Sequence, residues 1–226
     1  MANSSKTFPV TVHLYPSITQ PDRDSQAYEY VTSTQKNKNA LVFIGGLGDG
    51  PHGIPYVRTL ASRLSGKGWS VFEPRLTSAY SGFGHASLKE DVAEIAAFVE
   101  YLRSKETEVG REGGKVVVMG HSTGCQDCME YATTLGGGEE GDGAKRVDGF
   151  ILQGPVSDRE AILMALGGDG EDDKKKVLEE SVKVAERMMS EGRGQEAMPL
   201  EAIPEASGFR GSPVTAYRWW SLAGVG

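Results

Sequence analysis

The chain has 226 residues, 38% hydrophobic and 24% charged, a globular balance that excludes a disordered tail and leaves room for one large domain or two small ones. No apolar run approaches the roughly 20 residues that cross a bilayer, so no membrane is expected as a partner. A formal net charge of -7 makes nucleic acid an unsuitable one, because binding there requires a basic surface. Cys125 and Cys128 are too few for a disulfide framework, and the first residues, Met1 to Thr7, lack the apolar stretch of a secretory signal, so the expected compartment is the cytosol. Glycine is over-represented, 30 residues or about 13% against a usual figure near 7%, and its placement carries the rest of the reading.

Taken in chain order, Pro9 to Tyr15 and Ala27 to Val31 are short β-like runs, expected as edge strands. Leu41 to Ile44 is a compact apolar strand that ends in Gly45-Gly-Leu-Gly-Asp-Gly50. A helix follows with Val57, Leu60, Ala61 and Leu64 at helical spacing, stopped by Gly66 and Gly68. Trp69 to Phe72 is the next strand. Ser87-Leu-Lys-Glu90 has the form of a capping box, and Leu88, Val92, Ile95, Val99 and Leu102 continue it as an amphipathic helix. Lys115 to Met119 is β-branched without alternation, as for a strand buried on both faces. After Gly120-His-Ser-Thr-Gly124 come a short helix from about Cys125 to Leu135, an acidic glycine-rich loop from Gly136 to Gly143, and a strand from Val147 to Leu152. Strands alternating with helices predict an α/β fold, a mostly parallel sheet with helices on both faces. Beyond Gly154 the rhythm breaks: Asp158 to Leu166 is helical, Gly167 to Gly170 is a linker, and Asp173 to Ser190 is an amphipathic helix expected to bury Leu178, Val182, Ala185 and Met189.

The sharpest chemical signal is Gly120-His121-Ser122-Thr123-Gly124, a Gly-x-Ser-x-Gly between a buried strand and a helix. Such a turn strains the serine backbone, pushes the hydroxyl out from the sheet edge, and needs small flanking residues. Ser122 is therefore the candidate nucleophile, with the amide of Thr123 as one oxyanion donor. The alternative is an ordinary glycine turn in a glycine-rich chain. A second donor is expected from the loop after an earlier strand, and the amide of Leu47 in Gly45 to Gly50 fits that place. The same loop lacks both Gly-Lys-Ser/Thr and Gly-x-Gly-x-x-Gly, which disfavours nucleotide phosphates.

At these residues the chain resembles the α/β-hydrolases, and within them a fungal group that includes siderophore esterases acting on ester-linked hydroxamates of the fusarinine type. The matching stretches are Phe43 to Gly50, Ser78 to Gly84, Gly120 to Asp127, Gln153 to Ala161 and Ala216 to Ala223. The resemblance implies an α/β-hydrolase domain over residues 1–226, a helical cap or lid inserted at 157–212, Ser122 as nucleophile, hydrolysis of a small-molecule ester, and no metal or organic cofactor. Peptidases, thioesterases and lipases share the same turn, so the substrate is not fixed by it.

The triad order in this fold is Ser, then Asp or Glu, then His. All four histidines, at 13, 52, 85 and 121, precede or adjoin Ser122. The resemblance therefore implies an incomplete domain, a C-terminally truncated member lacking its last strands and its general base. His52 and His85 are candidates for a substitute base, each otherwise a loop-packing histidine, and Asp158 is a candidate acid that serves equally as a helix cap. Cys125 and Cys128 have redox-like spacing but read better as small buried side chains behind Ser122. The rivals to a serine esterase are a non-catalytic protein of the same fold and a partial gene product.

Overall fold

The computed structural model describes residues 7–32, 37–104, 107, 109–110, 113–135, 143–166 and 170–224. The glycine-rich loop expected at Gly136 to Gly143 lies outside the described residues apart from Gly143, and the linker at Gly167 to Gly170 apart from Gly170. The chain divides into two compact units, one of residues 1–76 and 88–155 and one of residues 77–87 and 156–226.

The first unit is a six-stranded sheet. Its strands are β1 (Val10–Pro16), β2 (Asp24–Tyr30), β3 (Asn39–Ile44), β4 (Trp69–Pro74), β5 (Val116–His121) and β6 (Gly149–Gln153), in the order β1-β2-β4-β3-β5-β6. β3, β4, β5 and β6 run parallel; β1 and β2 join antiparallel. β2 is not an edge strand, as its sequence suggested: it lies between β1 and β4, pairing Tyr28 with Glu73. The helices of this unit are α1 (Pro55–Ser65), α2 (Leu88–Arg103) and α3 (Gly124–Thr134).

Strand β3 is apolar throughout because both its faces are covered. Ala40, Val42 and Ile44 join a core with Phe72, Ile95, Phe98, Val99, Leu102 and Tyr131, the last five from α2 and α3. Leu41 and Phe43 point the other way, into a core with Val57 and Ala61 of α1, Val71 and Met119. Pro55 opens α1, where its missing N–H costs nothing. Gly66 keeps right-handed geometry at the end of that helix, and the left-handed reversal falls at Gly68 (φ 79°).

From β3 the chain steps to β4 on one side, and then through α2 to β5 on the other. The carboxyl ends of β3 and β5 therefore flank a topological switch point, where open α/β sheets bind ligands. At the opposite ends of these strands Arg103 closes α2 against the sheet, donating to the carbonyls of Gly110 (2.7 Å) and Gly114 (2.8 Å) and to Asp148 Oδ2 (2.7 Å). The same oxygen accepts from the Val116 amide at 2.8 Å. Burial works to raise the Asp148 carboxyl, but the Val116 amide and the Arg103 guanidinium outweigh it and hold the group below the ordinary range. A folded value below the unfolded one stabilises above the unfolded pKa and is lost as pH falls through the folded value. Asp148→Asn is expected to cost about 1 kcal/mol at neutral pH, discounted for partial exposure, with the gap closing below about pH 4. Urea unfolding at pH 7 and pH 3 measures it, and a gap that persists at pH 3 removes the carboxylate from the account.

The second unit contains α4 (Asp158–Ala165), α5 (Glu171–Ser190) and α6 (Ala216–Ala223), with short 3₁₀ turns including Tyr80–Gly84. α5 buries Leu178, Ser181, Val182, Ala185 and Met188. Met188 takes the inward place expected for Met189, which is half-buried against Gly194. Trp219 of α6 is fully buried and its indole N–H donates to Ser181 Oγ at 3.1 Å. Arg218 is buried beside it and donates to the Phe83 carbonyl at 2.9 Å, tying the 77–87 segment to α6.

Candidate active site

Ser122 lies between the end of β5 and the start of α3, in the left-handed region at φ 54°. A non-glycine residue there stores about 1–3 kcal/mol of strain, and the neighbouring contacts hold it. Its amide donates to the Gln153 carbonyl on β6 at 3.0 Å, and its own carbonyl accepts the Cys125 amide at 3.1 Å. The flanking glycines are steric requirements. A Cβ at Gly120 would fall well under 3.0 Å from the Gly124 carbonyl, and one at Gly124 would fall 2.6 Å from the Ile44 carbonyl oxygen and closer still to that of Gly45. The start of α3 thus sits against the backbone at the end of β3.

That contact places the loop 45–53 beside the serine. A Cβ added to Gly46 would lie 3.0 Å from Ser122 Cβ and 3.4 Å from its Oγ. The turn 46–49 is closed on itself: the Gly46 amide donates to Asp49 Oδ2 at 2.8 Å and the Asp49 amide to the Gly46 carbonyl at 3.0 Å, with Gly48 left-handed at φ 78°. The Gly46 N–H is therefore committed. Among the described residues the amides of Leu47 and Thr123, one beside Gly46 and one beside Ser122, have no protein acceptor, and neither does Ser122 Oγ have a hydrogen-bond partner.

Three residues at this site were missed in the sequence: Asp49, Tyr56 and Gln153. Gln153 Oε1 accepts from the Tyr56 hydroxyl at 3.0 Å and from His121 Nδ1, while its backbone carbonyl accepts the Ser122 amide. The His121 ring stands edge-on to Tyr56 and stacks on Phe43, so it braces the turn from the side. The signal for Asp49 was its spacing, three residues after a glycine that needs its amide satisfied. For Gln153 it was the position at the end of the strand that pairs with His121.

Of the candidate base and acid residues, only His52 belongs to the same unit as Ser122. His52 Nδ1 is engaged with the Tyr30 hydroxyl at 3.0 Å and Glu73 Oε2 at 3.1 Å, and burial pushes the imidazole below its ordinary range. His85 is an exposed residue of the second unit, following the 80–84 turn. Asp158, in the same unit, is the first residue of α4; the cap itself is Ser157, whose hydroxyl accepts the Glu160 amide at 3.3 Å. Cys125 and Cys128 are both free thiols about 1% exposed, and burial pushes Cys128 up to about 12, which disfavours the thiolate.

A mostly parallel sheet, crossovers on both faces and a left-handed serine between a central strand and a helix define the class as an α/β-hydrolase fold. A solved α/β-hydrolase fold protein of unknown function superposes with a TM-score of 0.60 at 20% identity, covering 98% of this chain and 64% of that one. Within that class the chain belongs to the family described as a protein of unknown function, DUF1749, which it matches over residues 1–226. It is similar to the siderophore hydrolase EstB from Aspergillus fumigatus, with a TM-score of 0.72 and 31% identity over 98% of this chain and 66% of that one. Fusarinine C esterase sidJ of the same organism is 38% identical over 62% of this chain and 43% of its own length. An esterase of Emericella nidulans is 37% identical over 62% of this chain and 42% of its own. The chain spans less than half the length of these two curated relatives.

Proposed function

We propose that Ser122 is the nucleophile of a serine ester hydrolase acting on small-molecule esters, with ester-linked hydroxamate siderophores of the fusarinine type as the first class to test. The observation that carries this reading is the left-handed Ser122 at the switch point, with the Gly46 backbone against its side chain and, on either side, the amides of Leu47 and Thr123, which have no acceptor among the described residues. The similarity to an esterase and to siderophore hydrolases supports the substrate class.

In this mechanism Ser122 Oγ attacks the ester carbonyl carbon and its proton passes to a base. The carbonyl π electrons move to oxygen, where the Leu47 and Thr123 N–H groups stabilise the charge more than they stabilise the ground state. Collapse expels the alcohol, which takes up the proton, and water then cleaves the acyl-serine by the same steps. Residues 157–212, with α4 and α5, are proposed as a cap that selects the substrate. Two reduced, buried cysteines support a cytoplasmic location, and among the described residues no helix is long and apolar enough to cross a membrane.

A non-catalytic protein of the same fold is the second reading, favoured by a Ser122 hydroxyl that has no hydrogen-bond partner among the described residues. Prolonged exposure to a fluorophosphonate decides between them. The expected result is an adduct on the peptide carrying Ser122, absent from Ser122→Ala; an adduct confined to other residues, or none, leaves the second reading. Release of hydroxamate acids from a fusarinine-type ester then tests the substrate class.

A further inference from the structure

Glu73 has no part in the chemistry proposed for Ser122, yet it is a carboxyl only 3% exposed near the end of a central strand. Burial raises it above the ordinary range, opposed by the hydrogen bonds it receives. Two hydrogen bonds converge on Oε2, from the Tyr30 hydroxyl at 2.7 Å and the His52 backbone amide at 3.0 Å, and His52 Nδ1 lies 3.1 Å from the same oxygen. Because the Tyr30 proton points to Glu73, the phenol oxygen is left to accept, and its partner at 3.0 Å is His52 Nδ1. The imidazole proton is therefore on Nδ1. Nε2 carries the lone pair, is buried, and has no hydrogen-bond partner among the described residues. The rings of Phe8, Tyr28 and Tyr30 pack around it edge-on, with centroids 5.1–5.4 Å away.

This arrangement grips both the ring and the backbone of His52, which is left-handed at φ 66°, a conformation uncommon outside glycine. His52 ends the loop that passes Ser122. The 46–49 turn, closed on itself by Asp49, lies between Ile44 of β3 and the start of α1, and between those covalent ends the stretch is tied to Glu73 of β4 through His52. Loss of the Glu73 tie leaves the loop held by its two covalent ends, with more freedom at Leu47.

We propose that Glu73 is a positioning residue for the candidate oxyanion donor: by holding His52 it fixes the far end of the 45–53 loop and so sets the Leu47 amide against Ser122. The proposal rests on the reading of Ser122 as nucleophile, and its test separates the two. Wild type, Glu73→Gln and His52→Asn are compared in the full chain. Glutamine keeps the shape but not the charge; asparagine tolerates the left-handed backbone but cannot make the imidazole contacts.

Amide hydrogen exchange over residues 46–53 is expected to quicken about tenfold or more in both variants, while β5 and α2 exchange as in wild type. Fluorophosphonate labelling of Ser122 is expected to slow about ten- to a hundredfold through the maximal rate, with the concentration for half-maximal rate unchanged, since misplacement of a donor costs transition-state and not ground-state binding. Exchange that quickens equally in β5 and α2 marks a merely structural role and overturns the proposal, as does unchanged exchange over 46–53. Should Glu73→Gln fail to fold, Tyr30→Phe, which removes a single hydroxyl, is read for the same local pattern. If wild-type Ser122 does not react at all, the nucleophile reading falls by itself, and the exchange pattern still decides whether Glu73 anchors the loop.

Discussion

The 226-residue chain, purified alone, is expected to react with fluorophosphonates about 10⁴ to 10⁶ times more slowly than a hydrolase with a complete Ser-His-acid triad. A serine hydroxyl is a weak nucleophile at neutral pH and needs an adjacent base to take its proton. Among the described residues nothing hydrogen-bonds Ser122 Oγ. His52 is turned to Glu73 and Tyr30, with its free nitrogen enclosed by aromatic rings, and His121 is turned to Gln153. Without an imidazole at the hydroxyl, the labelling rate is expected to climb with pH and show no plateau above the ordinary histidine range near 6.5. Rapid labelling with such a plateau, abolished by His85→Ala, would identify a substitute base and refute this expectation.

Replacing Gly124 by alanine is expected to cost about 3 kcal/mol or more, or to prevent folding. The added Cβ meets the carbonyl oxygens of Ile44 and Gly45, which are backbone atoms at the end of a central strand and cannot swing aside as a flexible side chain does. Relief requires α3 to withdraw from β3, which separates Thr123 from Leu47. Labelling of Ser122 is thus expected to fall in the folded fraction as well. Gly66→Ala is the control: Gly66 is right-handed at φ -65° with nothing within 4 Å of an added Cβ, so the substitution is expected to stabilise by about 0.4–1 kcal/mol. Denaturant titrations of both variants measure this, and a Gly124→Ala loss under about 1 kcal/mol would mean that the helix start is not held against the strand.

Features that depend on local chemistry could be read from the sequence. The 3.6-residue repeat of Val92, Ile95, Val99 and Leu102 gives α2, since all four are buried in the structure. A β-branched run entering Gly-x-Ser-x-Gly gives the β5–Ser122–α3 turn, since only small residues fit where α3 meets β3. What escaped depends on partners distant in sequence. β2 carries no mark of its central place, because that place comes from antiparallel pairing with β4. Glu73 falls just past the strand read at Trp69 to Phe72; its importance appears only when Tyr30 and His52, 43 and 21 residues away, close on it. Gln153 supports Ser122 through strand register, which periodicity does not supply. Met188 and Met189 are adjacent at the end of α5, where helical spacing alone does not decide which turns inward.

The two sulfur atoms of α3 give the molecule an internal gauge of its own opening. Cys125 Sγ donates to the Gly120 carbonyl at 3.2 Å, and both thiols are shut away from solvent in the first turns of the helix that follows Ser122. A thiol reagent can reach them only when that helix lifts from the sheet, so in the fast-reclosing regime the modification rate, divided by that of an exposed thiol, is the equilibrium constant for that opening. Because the lift also dissolves the turn around Ser122, counting modified sulfurs over time would measure what fraction of the molecules lacks the nucleophile's geometry at any moment, with no substrate present.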